Sequence, residues 1–215
     1  MGIPGEDDDW DFGSGAGFYV DASQAPWSKH YRMYSYVTQE LPALVSRHFS
    51  GDSQRQSIFG HSMGGHGALV CALRDPNKYH SVSAFAPVCA PIQCPWGQKA
   101  FSHYLGEDSS AWVAYDASEL VQQQQILSPI LIDMGLDDSF LHEQLNPELL
   151  EKACQKSGQK LMLRKHKGYD HSYFITCPFL SPDAYRRFCR GFLMRQVRCR
   201  DIFHNARFLA QHNPS

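Results

Sequence analysis

The string Ser57-Ile58-Phe59-Gly60-His61-Ser62-Met63-Gly64-Gly65-His66-Gly67-Ala68-Leu69 constrains this chain more than any other stretch. A short β-branched and aromatic run leads into Gly-x-Ser-x-Gly, and a run of small residues follows. That order forces Ser62 onto a sharp strand-to-helix turn with its Oγ projecting from the end of a sheet. Gly60 and Gly64 carry no Cβ, which lets such a turn close. The helix that starts there aims its first backbone N–H groups at whatever sits beside Ser62. A bare Gly-x-Ser-x-Gly also arises by chance, as a glycine-rich turn with a bystander serine. The preceding strand distinguishes the two cases, as does the small helix face of Gly64, Gly65, Gly67, Ala68 and Ala72 that can lie close on a sheet.

The elements around this turn alternate. Apolar residues Met33, Tyr36, Val37, Leu41, Leu44 and Val45 fall at helical spacing between Tyr31 and His48. A strand ends over Ser57–Gly60, a helix runs from Gly64 to Leu73, and Arg74-Asp75-Pro76-Asn77 ends it. Strands follow at Ser81–Ala86, Ile130–Gly135 and Lys160–His166, with a helix from Pro147 to Lys156 whose proline suits a first turn. Residues 87 to 128 read as a long connection with helical pieces at Lys99–Leu105 and around Trp112, and Gln122–Gln125 as a polar loop. Residues 1 to 28 read as irregular, with Glu6 to Asp9 a solvated acidic face. The pattern is that of an α/β protein with a mostly parallel, doubly wound sheet, and 215 residues suffice for a single domain, 1–215, with its own core.

Bulk properties exclude several classes. Net charge is -2, so nothing global favours nucleic acid or an anionic membrane. No apolar run reaches the length of a spanning helix, and the acidic start Met1-Gly2-Ile3-Pro4-Gly5-Glu6 is unlike a signal peptide. Seven cysteines, an odd number, suggest reduced thiols in a cytoplasmic protein. Cys89 and Cys94 lack a second ligand pair at zinc spacing, so no metal is expected. Gly13-Ser14-Gly15-Ala16-Gly17 lacks the Gly-Lys-Ser/Thr and the preceding strand of a phosphate loop. Residues 176–215 differ from the rest, with seven arginines against Asp183 and Asp201, and 176–200 read as a basic inserted segment.

A serine hydroxyl needs a base to become a nucleophile. After the strand 130–135 comes Gly135-Leu136-Asp137-Asp138, and after the strand 160–166 comes Gly168-Tyr169-Asp170-His171-Ser172. The chain order Ser, Asp, His at the ends of successive strands resembles the relay of α/β-hydrolases. Ser62 is then the nucleophile, His171 the base and Asp138 the acid that orients it, with Asp137 the rival for that last role. Met63 N–H is placed to receive an oxyanion. His166 still lies within its strand, and His61 and His66 are too close in sequence to Ser62 to reach its Oγ from the opposite side. They are expected to pack or hydrogen-bond around the turn.

Taken together, Gly60 to Leu69, Gly135 to Asp138 and Tyr169 to Tyr173 resemble S-formylglutathione hydrolases, also called esterase D, over roughly residues 5 to 175. Trp10-Asp11-Phe12-Gly13, Gly17 to Ala22, Tyr31 to Val37, Ser83 to Pro87 and Cys94-Pro95-Trp96-Gly97 share the resemblance. It implies an α/β-hydrolase fold, a cytoplasmic location, no cofactor and hydrolysis of S-formylglutathione to glutathione and formate in formaldehyde removal. Trp96, Lys99 and Phe101 are candidates to line a substrate pocket, with packing in a cap region as the other reading. A homodimer is compatible with the resemblance. Family members carry about a third more sequence at the N-terminal side, including a loop with a second oxyanion N–H. The alternatives are a broad short-chain carboxylesterase and a truncated, non-catalytic product.

Overall fold

The computed structural model describes residues 2–52 and 54–176. The basic segment expected at 176–200 therefore lies, apart from Thr176, outside the described residues. Among the described residues, four parallel strands make one sheet in the order β1 (Gln56–His61), β2 (Tyr79–Phe85), β3 (Ile130–Gly135) and β4 (Leu161–His166). In β3, Ile130, Ile132 and Met134 share one face of the sheet and are buried, while Leu131 on the other face is half-buried.

The register aligns the strand ends that matter. His61 lies opposite Phe85, Phe85 opposite Asp133, and Gly135 opposite His166. Ser62, Asp138 and His171 thus emerge from the same edge of the sheet, beyond the carboxyl ends of β1, β3 and β4, where open α/β sheets hold their ligands. Just below that edge Asp133 is wholly buried, and charge on it is balanced across the strands. Arg164 grips it with Nε and Nη2, both at 2.6 Å, and His166 Nε2 lies 2.8 Å from Oδ1. A two-pronged pair of this kind fixes direction as well as distance, and here it braces β3 against β4 under the two loops that carry Asp138 and His171.

Helix α3 (Met63–Arg74) packs on β1 and β2, and α6 (Pro147–Ser157) on β4. Between them α5 (Ala117–Gln123) touches both, so the three make one layer over the sheet. Asp116 caps α5 by accepting from Ser118 and Glu119 N–H, the expected use of an aspartate before a helix. Gln122 and Gln123 belong to this helix rather than to a polar loop, because the cap sets a register in which Gln122 Nε2 donates to Ser118 O. α4 (Pro95–Leu105) falls where a helical piece was expected, with Phe101 and Tyr104 wholly buried.

Helical spacing between Tyr31 and His48 appears as α1 (Met33–Ser35), a π-turn (Tyr36–Glu40) and α2 (Leu41–His48), end to end. Val37 packs on the core, but Met33, Tyr36, Leu41, Leu44 and Val45 remain 36–50% exposed.

The irregular N-terminal stretch is held by specific contacts rather than by periodic structure. Phe12 stacks on Tyr104 with ring centroids 4.9 Å apart, and Trp27 meets both edge-on. Tyr104 Oη accepts from Gly13 N–H at 2.9 Å and donates to Ala16 O at 3.1 Å. Glu6 departs from the expected solvated acidic face. It is buried and accepts from Ile3 N–H and Tyr31 Oη, both at 3.1 Å.

Candidate active site

Ser62 sits between the last residue of β1 and the first of α3 with φ 54° and ψ -121°. Such a backbone is open to glycine and strained for a residue with a side chain, at a cost of about 1–3 kcal/mol. The strain is held by the surroundings. Ser62 N–H donates to Phe85 O at 2.8 Å and Ser62 O accepts from His66 N–H at 3.0 Å. A Cβ on Gly60 would lie 2.1 Å from Gly64 O, so Gly60 is the residue that lets the turn close. Gly64 has more room, its nearest neighbour being Tyr19 Oη at 3.4 Å from an added Cβ.

His171 Nε2 lies 2.8 Å from Ser62 Oγ, and His171 Nδ1 lies 2.6 Å from Asp138 Oδ2. A carboxylate only accepts, so Nδ1 carries the proton and Nε2 is free to take one from the hydroxyl. Asp138 is buried and its other oxygen accepts from Phe140 N–H at 2.9 Å, which fixes the carboxylate plane. Asp137 faces solvent and meets the loop only through its backbone, N–H to Tyr169 O at 3.0 Å. The geometry therefore sorts the two neighbouring aspartates. Met63 is the first residue of α3, where an N–H has no intrahelical acceptor and points out of the helix end.

Beside these groups lies a cavity of about 970 Å³, lined among others by Trp10, Tyr19, Phe140, Trp96 and Tyr173. Trp96 is the one member of the expected pocket trio that reaches it. Its ring meets Trp10 edge-on at 5.5 Å and Phe140 at 4.8 Å. Phe101 is wholly buried, against Phe18, His66 and Trp112, and belongs to the core. Lys99 does not line the cavity. Its Nζ holds Asp9 at 2.8 Å and Asp11 at 2.7 Å, the two residues flanking Trp10, and so pins the strap that presents Trp10. From sequence, Trp10 and Tyr19 stand only inside the shared motifs, and none of Trp10, Tyr19 and Phe140 is marked as lining a pocket. An aromatic residue set between two acids in a loop, as in Asp9-Trp10-Asp11, was the available signal for the first.

Tyr19 is placed by a second device. Phe18 and Tyr19 have φ of 47° and 51°, and a Cβ on Gly67 would come within 2.3 Å of the Tyr19 ring. His66, wholly buried on α3, donates Nε2–H to Phe18 O at 3.0 Å. Its Nδ1 is buried without a partner, which suits a neutral ring with a bare lone pair and would leave an unpaired N–H if the ring were charged. Burial pushes the His66 pKa down to about 4, partly opposed by the bond to Phe18. An unfolded histidine titrates near 6.5, so between these values the unfolded chain binds the extra proton. Stability is full above about pH 6.5 and falls as the pH drops toward 4, by about 3 kcal/mol from this group. We expect His66→Gln, which keeps a donor and cannot titrate, to have a flatter stability profile in urea melts between pH 7 and 4.5. Equal slopes for the two proteins would count against a neutral buried His66.

Among the described residues, no cluster of three histidine, cysteine or acidic side chains could hold a metal ion. Cys89 and Cys94 are buried, with Sγ near Pro87 O and Pro91 O, and burial raises both thiols, Cys94 to about 11. Within those residues no helix is long and apolar enough to cross a membrane.

The Esterase family model matches residues 2–181. S-formylglutathione hydrolase of Mus musculus is 57% identical over 183 residues, which are 83% of this chain and 64% of that protein. The protein of the same name from Bos taurus is 55% identical over the same shares. The chain thus spans a little under two thirds of the length of these relatives. Among solved structures, an S-formylglutathione hydrolase from Agrobacterium tumefaciens superposes with a TM-score of 0.80 at 49% identity, covering 84% of this chain and 65% of that one. A fluorophosphonate-binding serine hydrolase of Staphylococcus aureus, at 19% identity and TM-score 0.63 over 80% of this chain and 68% of its own, shares the fold. By its sequence over residues 2–181 and by the sheet it shares with these structures, the chain belongs to the Esterase family of α/β-hydrolases.

Proposed function

We propose that this protein is a serine thioesterase that hydrolyses S-formylglutathione to glutathione and formate. The observation that carries the reading is the 49–57% identity to proteins named for that activity, over more than four fifths of the chain. The relay of Ser62, His171 and Asp138 supports it with chemistry. In the proposed cycle Ser62 Oγ attacks the formyl carbon while its proton passes to His171 Nε2. Met63 N–H receives the oxyanion, a contact of the type worth about 10²–10³ in turnover. Collapse breaks the C–S bond, and the glutathione thiolate takes the proton from His171. Water, activated by the same imidazole, then attacks the formyl-enzyme and releases formate and free Ser62. Every proton is carried by side chains of this chain, so the cycle draws on no cofactor. Among the described residues, the thiols of Cys71, Cys89, Cys94 and Cys154 are buried and unpaired, which suits a reducing compartment, and we place the protein in the cytoplasm.

The aromatic lining around Trp10, Trp96 and Phe140 also favours a second reading, hydrolysis of small activated esters by the same relay. The two are separated by comparing S-formylglutathione, followed by loss of thioester absorbance, with p-nitrophenyl acetate. The thioesterase reading expects kcat/KM for S-formylglutathione to exceed that for the acetate ester by 10-fold or more, on the order of one to two contacts' worth of selectivity. A preference for the acetate ester would leave the carboxylesterase.

A further inference from the structure

Two adjacent residues of this chain hold the same histidine from two sides. Ser62 Oγ meets the His171 ring, and His61 Nε2 lies 3.0 Å from the His171 main-chain oxygen. His61 ends β1 and is therefore as firmly placed as the sheet, whereas His171 lies on a loop that begins at Gly168 with φ 82°. Elsewhere in that loop, Tyr169 O accepts from Asp137 N–H, and Asp170 Oδ1 accepts from Ser172 N–H.

We propose that His61 is a positioning residue for the reaction, donating Nε2–H to the His171 carbonyl and so fixing the backbone of the base at the distance from Ser62 that proton transfer needs. The inference rests on the hydrolase reading above. A carbonyl oxygen only accepts, which assigns the His61 proton to Nε2 and leaves Nδ1 bare. The His61 ring also packs between the rings of His171, at 4.9 Å, and Tyr173, at 4.6 Å, so its own orientation is limited by contact on two sides. Burial, and next the neighbouring His171 imidazole, lower its proton affinity. A neutral ring here adds no repulsion when His171 becomes an imidazolium during attack. With Asp138 at Nδ1, His61 at the carbonyl and Ser62 at Nε2, the base is held at three points. Misplacing a reacting group by about 1 Å costs on the order of 10²-fold in rate.

The test uses the full chain with three substitutions: His61→Gln keeps an N–H at the position of Nε2, His61→Phe keeps the ring and loses the donor, and His61→Met loses the donor with a side chain that adapts to the gap. Steady-state kinetics, the rate of fluorophosphonate labelling and a thermal melt are read for each. We expect His61→Phe and His61→Met to lower kcat and labelling rate about 10- to 100-fold with KM within about twofold, and His61→Gln to stay within about threefold of wild type. Donor-less variants as fast as wild type overturn the proposal. So does a His61→Gln protein as slow as the other two with an unchanged melt, since the donor is then not what matters. A wild-type chain that takes no label at Ser62 overturns the hydrolase reading itself, and the two failures are thereby told apart.

Discussion

Ser62→Ala is expected to remove fluorophosphonate labelling and to lower kcat by about 10⁶-fold, the loss typical of a triad nucleophile, since the remaining members cannot act without it. What remains is the modest catalysis that substrate binding and the oxyanion contact proposed for Met63 N–H would supply alone. Ser62→Gly should abolish activity to the same extent and yet be the more stable protein. Ser62 holds φ 54° and ψ -121°, a conformation a glycine adopts without steric cost. Relief of about 1 kcal/mol corresponds to a rise in Tm of about 2–4 °C for a chain of this size. Alanine keeps the Cβ and therefore the strain, so its melt should stay near wild type. The pair separates loss of the nucleophile from loss of the fold. Labelling that persists in Ser62→Ala at the wild-type rate would place the nucleophile elsewhere, and a Ser62→Gly protein that melts no higher than wild type would show that the turn stores no strain.

The parts of this molecule that could be read in advance are those where one strong local rule acts. β3 runs over Ile130–Gly135 as expected, because a short apolar run bounded by turns suits a strand of a parallel sheet. The turn at Ser62 is legible because Gly60 admits no alternative, and the chain order of Asp138 and His171 follows from strands that all point the same way. What stayed hidden is set by contacts distant in sequence. Nothing local says that Glu6 is buried and accepts a hydrogen bond from Tyr31, or that Lys99 is claimed by Asp9 and Asp11 some 90 residues earlier rather than facing a ligand. The cavity wall from Trp10 to Tyr19 is irregular backbone, held by Tyr104 and His66 one contact at a time. Periodicity carries no information about such a segment. For the same reason helical spacing located α1 and α2 but not how far their apolar side chains would be covered, since burial depends on what else the fold brings near.

Asp137 and Asp138 are neighbours in sequence and opposite in circumstance, and substituting each in turn is expected to separate them by about 10⁴-fold. Asp138→Asn is isosteric and leaves the loop intact. The carboxylate that accepts Nδ1–H at 2.6 Å becomes an amide whose other oxygen position is already committed to Phe140 N–H. If the amide keeps its oxygen on Phe140, its NH₂ faces His171 Nδ1 and needs an acceptor there. The imidazole then moves its proton to Nε2, the atom that must take the proton from Ser62, and the relay is blocked at its first step. A fall of about 10⁴ in kcat follows, with KM little changed, because Asp138 is buried away from the cavity lining. Activity should recover partly at high pH, where hydroxide takes over part of the base's work. Asp137→Asn changes an exposed side chain whose backbone alone meets Tyr169, and its kcat is expected within about twofold of wild type, as for most surface substitutions. The measurement is kcat and KM for both variants on one thioester, with melts to show that both remain folded. A larger loss from Asp137→Asn, or two losses of similar size, would mean that the loop after β3 rearranges in the working enzyme and presents the other carboxylate to His171.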